Sequence, residues 1–369
     1  MTTTDAQIQR ALLGRMHEAS DVSKKFDFES EGSLATFWRQ ATPGTTYWRG
    51  YVPMKALPGR VTGIEPDSLD WEDEAQGTIR LNQQSGDTAI WQFLGDDARS
   101  RIVFQMQRQG LRTIMEVDDN YLRYAPTLYG RNSPWTKTHL EALKNGTGYS
   151  VEFHRKQAPM VDAIICATDH LANEYEAFNP NVYVCPNSID PDDWDVEHIE
   201  SDVLRIGYYG SPSHIRDWPL VKKALKWAQK QDGVEVLVAG FSPPAWGGRI
   251  MAWHDDLFLA RQNLAHFDVG IAPLTRNHWA DGKSDVKALE YAMAGVMPIV
   301  QDAPPYGPWK DMGWEWMPRD AKEWDEAIRD VVAYRDDVKL LAAEAKKYVM
   351  EYRTIDGNID SWRRAIRGT

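Results

Sequence analysis

The feature that most constrains this chain is an alternation in its C-terminal half. Short β-rich apolar runs are separated by stretches of helical periodicity, the pattern of βαβ units on a parallel sheet. Residues 204–209 (LRIGYY) read as a strand, Gly210-Ser211-Pro212-Ser213 as a tight loop, and 219–230 as a helix with Val221, Ala224, Leu225 and Ala228 on one face. Further strands are expected at 234–239, 267–272 and 296–300, with a helix over 284–294 ahead of the last. Uninterrupted apolar runs of this kind suit strands buried on both faces.

The N-terminal half repeats the rhythm. Strands are expected at 34–40, 88–94, 112–117, 161–166 and 181–185, and helices near 96–109 and 169–178. A Gly/Thr-rich loop is expected at 41–50 and a short helix at 51–57. Residues 186–202 are polar and acidic and read as an exposed linker, which puts a domain boundary near residue 200. Residues 319–367 read as helical, broken at 354–358 by Gly357, with the last piece a candidate to cross back to the first domain. The expected architecture is α/β with two Rossmann-like domains, residues 1–200 and 201–350, followed by a returning helix at 351–369.

A chain of 369 residues accommodates two such cores, and 43% hydrophobic with 26% charged residues suits globular domains. The longest apolar runs fall far short of the roughly 20 residues needed to span a bilayer. The N-terminal stretch has no basic segment followed by an apolar core, so no cleaved signal and a cytoplasmic location are expected. Cys166 and Cys185 each end an apolar run and read as buried thiols without chemistry. A net charge of −12 works against nonspecific attraction to nucleic acid, so any phosphate site must be built locally. A basic surface could still form from Arg353, Arg363, Arg364 and Arg367 with Arg99, Arg101, Arg108 and Arg112. Most of the 16 Trp residues are expected in the core.

In doubly wound sheets ligands bind beyond the carboxyl ends of the strands. The loop of Gly210, Ser211, Ser213 and His214 follows one strand and opens a helix, where glycine permits close approach and free N–H groups suit a diphosphate. The richest stretch is DGKSDVKALEYAMAG, residues 281–295. There Ser284 can cap a helix, Lys283 offers a cation just before it, and Glu290 follows nearly two turns on, where a carboxylate can read ribose hydroxyls. In the first half, Gly44, Thr45 and Arg49 of ATPGTTYWRG are candidates for sugar-phosphate contacts, and Asp118 and Asp119 of EVDDNY close a strand. Two adjacent acids also suit Mn²⁺ or Mg²⁺, although direct contacts to a bound sugar or acceptor fit the two-domain rhythm better.

The run KSDVKALEYAMAGVMPIV after FDVGIAPL resembles the donor-binding signature of GT-B glycosyltransferases similar to family 4. RIGYYGSPSH, VYVCPNSID and the terminal helix fit the same family in the same order, and EVDDNY resembles the branch common in bacterial and phage genomes. The resemblance spans about residues 34–366. It implies a retaining, metal-independent transfer from a nucleoside diphosphate sugar, UDP-linked by preference, to a hydroxyl. The acceptor it leaves open: a glycan, a small metabolite or a hydroxymethylated base of phage DNA, in a host cytoplasm if phage-encoded. It implies Lys283, Glu290, Asp118 and Asp119 as catalytic residues.

The sequence departs from the family pattern at two places. The first glutamate of the Glu-x7-Glu motif would fall at Gly282, so only Glu290 survives. The cations usually found after the GSPSH-like strand have no clean equivalent, Arg216 being the nearest and His214 a candidate substitute. The rival readings are a noncatalytic nucleotide-sugar binder, favoured by the missing glutamate, and a Rossmann oxidoreductase, disfavoured because no GxGxxG follows a strand.

Overall fold

The computed structural model describes residues 27–39, 43–63, 69–73, 78–81, 83–92, 97–124, 136–137, 140–141, 144, 150–240, 248–252, 254 and 256–369. The chain forms two compact units, one of residues 1–188 with 355–369 and one of residues 189–354.

The first unit is built on a seven-stranded sheet of order β1-β3-β2-β6-β7-β8-β9. Its strands are β1 (Phe28–Glu29), β2 (Ala35–Arg39), β3 (Arg60–Gly63), β6 (Thr88–Gln92), β7 (Arg112–Val117), β8 (Ala163–Cys166) and β9 (Val182–Val184). All pair in parallel except β1, which runs antiparallel to β3. A separate antiparallel pair joins β4 (Leu69–Asp73) to β5 (Thr78–Leu81).

The five residues of β2 and of β6 are buried throughout, including the polar Thr36, Arg39, Thr88 and Gln92. Their tryptophans, Trp38 and Trp91, stack 5.3 Å apart in a core that includes Met106, Met115, Ile164 and Tyr175. Tryptophan thus serves packing here, as it does at the fully buried Trp309, Trp324 and Trp362. Cys166 and Cys185 are buried free thiols.

The expected loop at 41–50 is helical where described. Pro43–Thr46 forms an α-turn, Tyr47–Tyr51 a π-turn and Val52–Ala56 a further α-turn. Gly and Thr are poor helix formers, but burying Tyr47, Trp48, Val52 and Met54 overrides propensity. Residues 41–42 lie outside the described residues.

The second unit holds a five-stranded, wholly parallel sheet of order β12-β11-β10-β13-β14. These are β10 (Leu204–Tyr209), β11 (Val234–Ala239), β12 (Arg249–Met251), β13 (Val269–Ala272) and β14 (Met297–Val300). The strand order reverses between β10 and β13, the topological switch point of a doubly wound sheet. There Gly207 and Gly270 lie opposite each other, and a Cβ on Gly270 would stand 2.5 Å from the ring of Tyr291. Glycine lets that ring lie directly on the strand, where its hydroxyl donates to Ile271 O (3.1 Å) and accepts from Tyr209 N (3.3 Å).

Residues 186–202 are not a plain exposed linker, since Ile189 is fully buried and Asn187, Ser188, Asp190 and Trp194 are buried too. The chain divides after Ser188, and Ile189 N donates to Arg353 O (2.7 Å). The helical C-terminus breaks at Arg353–Thr354, and Ile355–Arg367 runs through Gly357 without interruption. The buried stripe of Ile355, Ile359, Trp362 and Ile366 outweighs the glycine. Among the described residues no helix is long and apolar enough to cross a membrane.

Candidate functional site

In the second unit the carboxyl ends of β10 and β13 carry most of the residues singled out by sequence. Gly210 follows β10 directly, is buried, and donates its N–H to Ala239 O (3.0 Å). A Cβ at this position would sit 2.7 Å from the Tyr208 hydroxyl, so the turn needs glycine to lie over that ring. Ser211 is half-buried, and Pro212–Arg216 form a 3₁₀ turn. The side chain of Ser213 lies outside the described residues.

His214 Nδ1 lies 2.8 Å from Asp217 Oδ2, while Asp217 Oδ1 accepts the Thr275 N–H at 2.7 Å. The Thr275 hydroxyl donates to Arg216 O (2.9 Å), so the loops after β10 and β13 are stitched together at the switch point. Burial opposes ionisation of Asp217, but the bonds from His214 and Thr275 hold its carboxyl below the ordinary value. Burial and the nearby Lys287 and Lys283 push His214 down to about 4. That shift favours the uncharged imidazole at neutral pH. Arg216 is exposed.

The segment expected to hold the diphosphate follows β13. Asn277 Oδ1 accepts the Trp279 and Ala280 N–H groups (3.0 and 2.9 Å) and shapes a 3₁₀ turn at Ala280–Gly282. Lys283 comes next, its ammonium 5.4 Å from the centre of the Trp279 ring. The helix begins at Val286 with Asp285 at the N-cap position, so Ser284 is one residue too early to be its cap. Asp285 is held elsewhere: both its oxygens meet the Arg353 guanidinium, and Trp309 Nε1 donates to it (3.1 Å). Glu290, on the same helix, is buried to 9% exposure.

Lys287 was quoted in the sequence motif but given no role. Its ammonium lies 5.1 Å from the centre of the Tyr208 ring, the ring that also underlies Gly210. The 283–290 segment and the turn at 210 therefore meet in one place. Burial, reinforced by repulsion from Lys283 against the pull of Asp217 and Glu290, lowers Lys287 to about 8. Asp217 and Tyr208 were missed as well.

In the first unit, Asp118 and Asp119 follow β7 and are half-buried. Asp118 accepts hydrogen bonds from the Thr45 hydroxyl and the Tyr121 hydroxyl, both at 3.0 Å. Asp119 O accepts the Tyr121 N–H (2.8 Å). Burial, then the charge of Asp118, pushes the Tyr121 phenol well above its ordinary value. Gly44 has open space where a Cβ would stand.

Arg49, expected to offer charge to a ligand, is instead buried at 1% exposure. Its Nε donates to Glu116 Oε1 (2.6 Å), its Nη1 to Cys185 O (2.7 Å) and Asn187 Oδ1 (3.0 Å), and its guanidinium lies 5.0 Å from the Trp362 ring centre. Arg49 is a staple within this unit. Burial pushes the Glu116 carboxyl up to about 8 against the opposing pull of Arg49. Arg353 likewise leaves the proposed basic surface, being 6% exposed and paired with Asp285. Among the described residues no group of three His, Cys, Asp or Glu side chains is placed to hold a metal ion.

No protein-family model and no curated protein sequence matches the chain. Solved structures do. Anabaena HepE in complex with UDP and glucose superposes with a TM-score of 0.59 at 9% identity, over 92% of this chain and 100% of HepE. A trehalose-6-phosphate synthase matches with a TM-score of 0.52 at 11% identity, over 77% of this chain and 74% of its own. S. aureus TarM in complex with UDP, alpha-GlcNAc-glycerol and fondaparinux matches with a TM-score of 0.54 at 10% identity, over 76% of this chain but only 55% of TarM. The fold is that of the GT-B glycosyltransferases, two Rossmann-like α/β units.

Proposed function

We propose that the chain is a glycosyltransferase that moves a sugar from a nucleoside diphosphate sugar, a UDP-sugar by preference, to an acceptor hydroxyl with retention and without a metal ion. The observation that carries this reading is the meeting of the Gly210 turn and the 283–290 segment over Tyr208, at the switch point of the parallel sheet. HepE and TarM, which share the fold, are described with UDP bound.

Bond cleavage at the anomeric carbon leaves negative charge on the departing diphosphate. Stabilising that charge is the main task of such a site, and fixed donors in a partly dry pocket do it best. Lys283 supplies a cation, and the backbone N–H groups at the start of the Val286–Met293 helix supply oriented donors. Glu290 is suited to reading the ribose hydroxyls. In the first unit, Asp118, fixed by Thr45 and Tyr121, and the adjacent Asp119 are the groups suited to the sugar or the acceptor.

The acceptor class comprises a glycan, a small hydroxylated metabolite and a hydroxymethylated DNA base. The burial of Arg353 removes one cation from the surface that a DNA acceptor would use.

The test is thermal unfolding with a series of nucleoside diphosphate sugars, since a ligand that binds the native state raises the melting temperature by mass action. A concentration-dependent rise with one UDP-sugar, and release of UDP on adding acceptors, is the expected result. No rise with any member of the series would overturn the proposal, and a rise without transfer or donor hydrolysis would leave a binding protein.

A further inference from the structure

We infer that Lys287 is a donor-binding residue, the cation that a diphosphate meets beside the Gly210 turn in place of the charges that the 210–216 loop lacks. This rests on the proposed nucleotide-sugar site and assigns it a residue that the family pattern does not.

Three observations carry the assignment. The first is position: the Lys287 ammonium and Gly210 share the Tyr208 ring, one at 5.1 Å from its centre and the other in contact with its hydroxyl end. No other cation of the helix reaches across to the β10 turn in this way among the described contacts.

The second is that Lys287 is half-buried yet forms no ion pair among the described residues. Withdrawing an ammonium from water without a partner is costly, so a purely structural position here would favour an apolar or a paired side chain. The carboxylates facing it pull on its charge without pairing with it directly. From the turn after β10 come His214 and Asp217, and Asp217 already spends its two oxygens on the His214 ring and the Thr275 N–H. From its own helix segment come Lys283, a like charge, and Glu290, and from β10 comes the Tyr208 ring. The lysine is electrostatically incomplete until an anion arrives.

The third concerns the cations of the 210–216 loop: Arg216 is exposed, and burial with the nearby lysines pushes His214 down to about 4. Lys283 lies close enough for its charge to bear on Lys287, and two neighbouring cations suit a diphosphate rather than a neutral sugar.

The experiment is calorimetric titration of the full chain with UDP, inorganic pyrophosphate and uridine, for wild type, Lys287→Met and Lys287→Arg, at pH 7 and pH 9. Lys287→Met is expected to weaken UDP and pyrophosphate at least tenfold at pH 7 and to leave uridine unchanged. Between pH 7 and pH 9 wild type is expected to lose more UDP affinity than Lys287→Arg, whose charge persists. Circular dichroism confirms that each variant is folded, and Lys287→Arg carries the test should Lys287→Met fail to fold. If UDP binds wild type and Lys287→Met equally, the assignment of Lys287 is overturned while the donor site stands. If wild type binds neither UDP nor pyrophosphate, the nucleotide-sugar reading itself falls and this inference with it.

Discussion

Asp285 and Arg353 form a buried two-pronged ion pair that fixes the start of the helix Val286–Met293 to the C-terminal end of the helix Val338–Tyr352. Against the penalty of burial, the Asp285 charge raises the Arg353 guanidinium above its already high value. Each side chain is nearly inaccessible, so neither charge has water to fall back on.

Removing one member therefore strands the other. Asp285→Ala or Arg353→Ala is expected to cost about 3–5 kcal/mol in urea unfolding. A double variant, Asp285→Asn with Arg353→Met, is expected to lose less than the sum of the single losses, because no charge is left unpaired. Additive losses would show that the two act independently.

Lys283→Ala is expected to weaken UDP-sugar binding by about 1.5–3 kcal/mol, the range for a hydrogen bond to a charged group. Glu290→Ala should weaken UDP more than pyrophosphate, since only UDP carries ribose hydroxyls. Calorimetry that finds donor affinity intact in both variants would remove the proposed site.

Lys287 makes a separate prediction about stability. Its folded value, about 8, lies below the unfolded 10.5, so between these values the unfolded chain binds more protons and stability rises with pH. Below about 8 the folded chain bears the whole cost of the half-buried charge. Lys287→Met should therefore be more stable than wild type at pH 7, by about 1–2 kcal/mol once partial solvation is allowed for, and the gain should shrink toward pH 10.5. Melting curves across pH 7–10 measure it. A variant that is less stable at pH 7 would show that the ammonium is a net stabiliser of the fold.

Transfer is expected to survive a chelator and to gain nothing from Mn²⁺ or Mg²⁺. The Asp118 oxygens each already accept one hydrogen bond, from Thr45 and from Tyr121. Loss of activity with chelator and its return with Mn²⁺ would instead give Asp118 and Asp119 a metal-binding role.

The strands Arg112–Val117, Leu204–Tyr209 and Val234–Ala239 were legible to the residue, because uninterrupted apolar runs bounded by turns leave little choice. β12 was not legible: Arg249 and Ile250 are exposed, so an edge strand of three residues leaves no burial pattern to read. The helical run at 43–50 was hidden because Gly and Thr argue for a loop, and only the burial of Tyr47 and Trp48 reverses that, whereas Val52–Ala56 matches the short helix expected at 51–57. Site residues divided along similar lines. Gly210 and Lys283 could be found from local motifs, whereas the commitment of Arg49 to Glu116 depends on partners 67 to 138 positions away. Lys287 has no role in the local motif, and its neighbour Tyr208 comes from a distant strand.

The chain enters the second unit at Ile189 and leaves it at Thr354, and these residues lie side by side in an isolated parallel bridge. A segment whose two ends are fastened together behaves as a closed cassette: residues 189–354 can be lifted out or joined head to tail without cutting any of its five strands. The unit could then be exchanged between proteins of this architecture as one piece of DNA, its two junctions lying side by side in the fold.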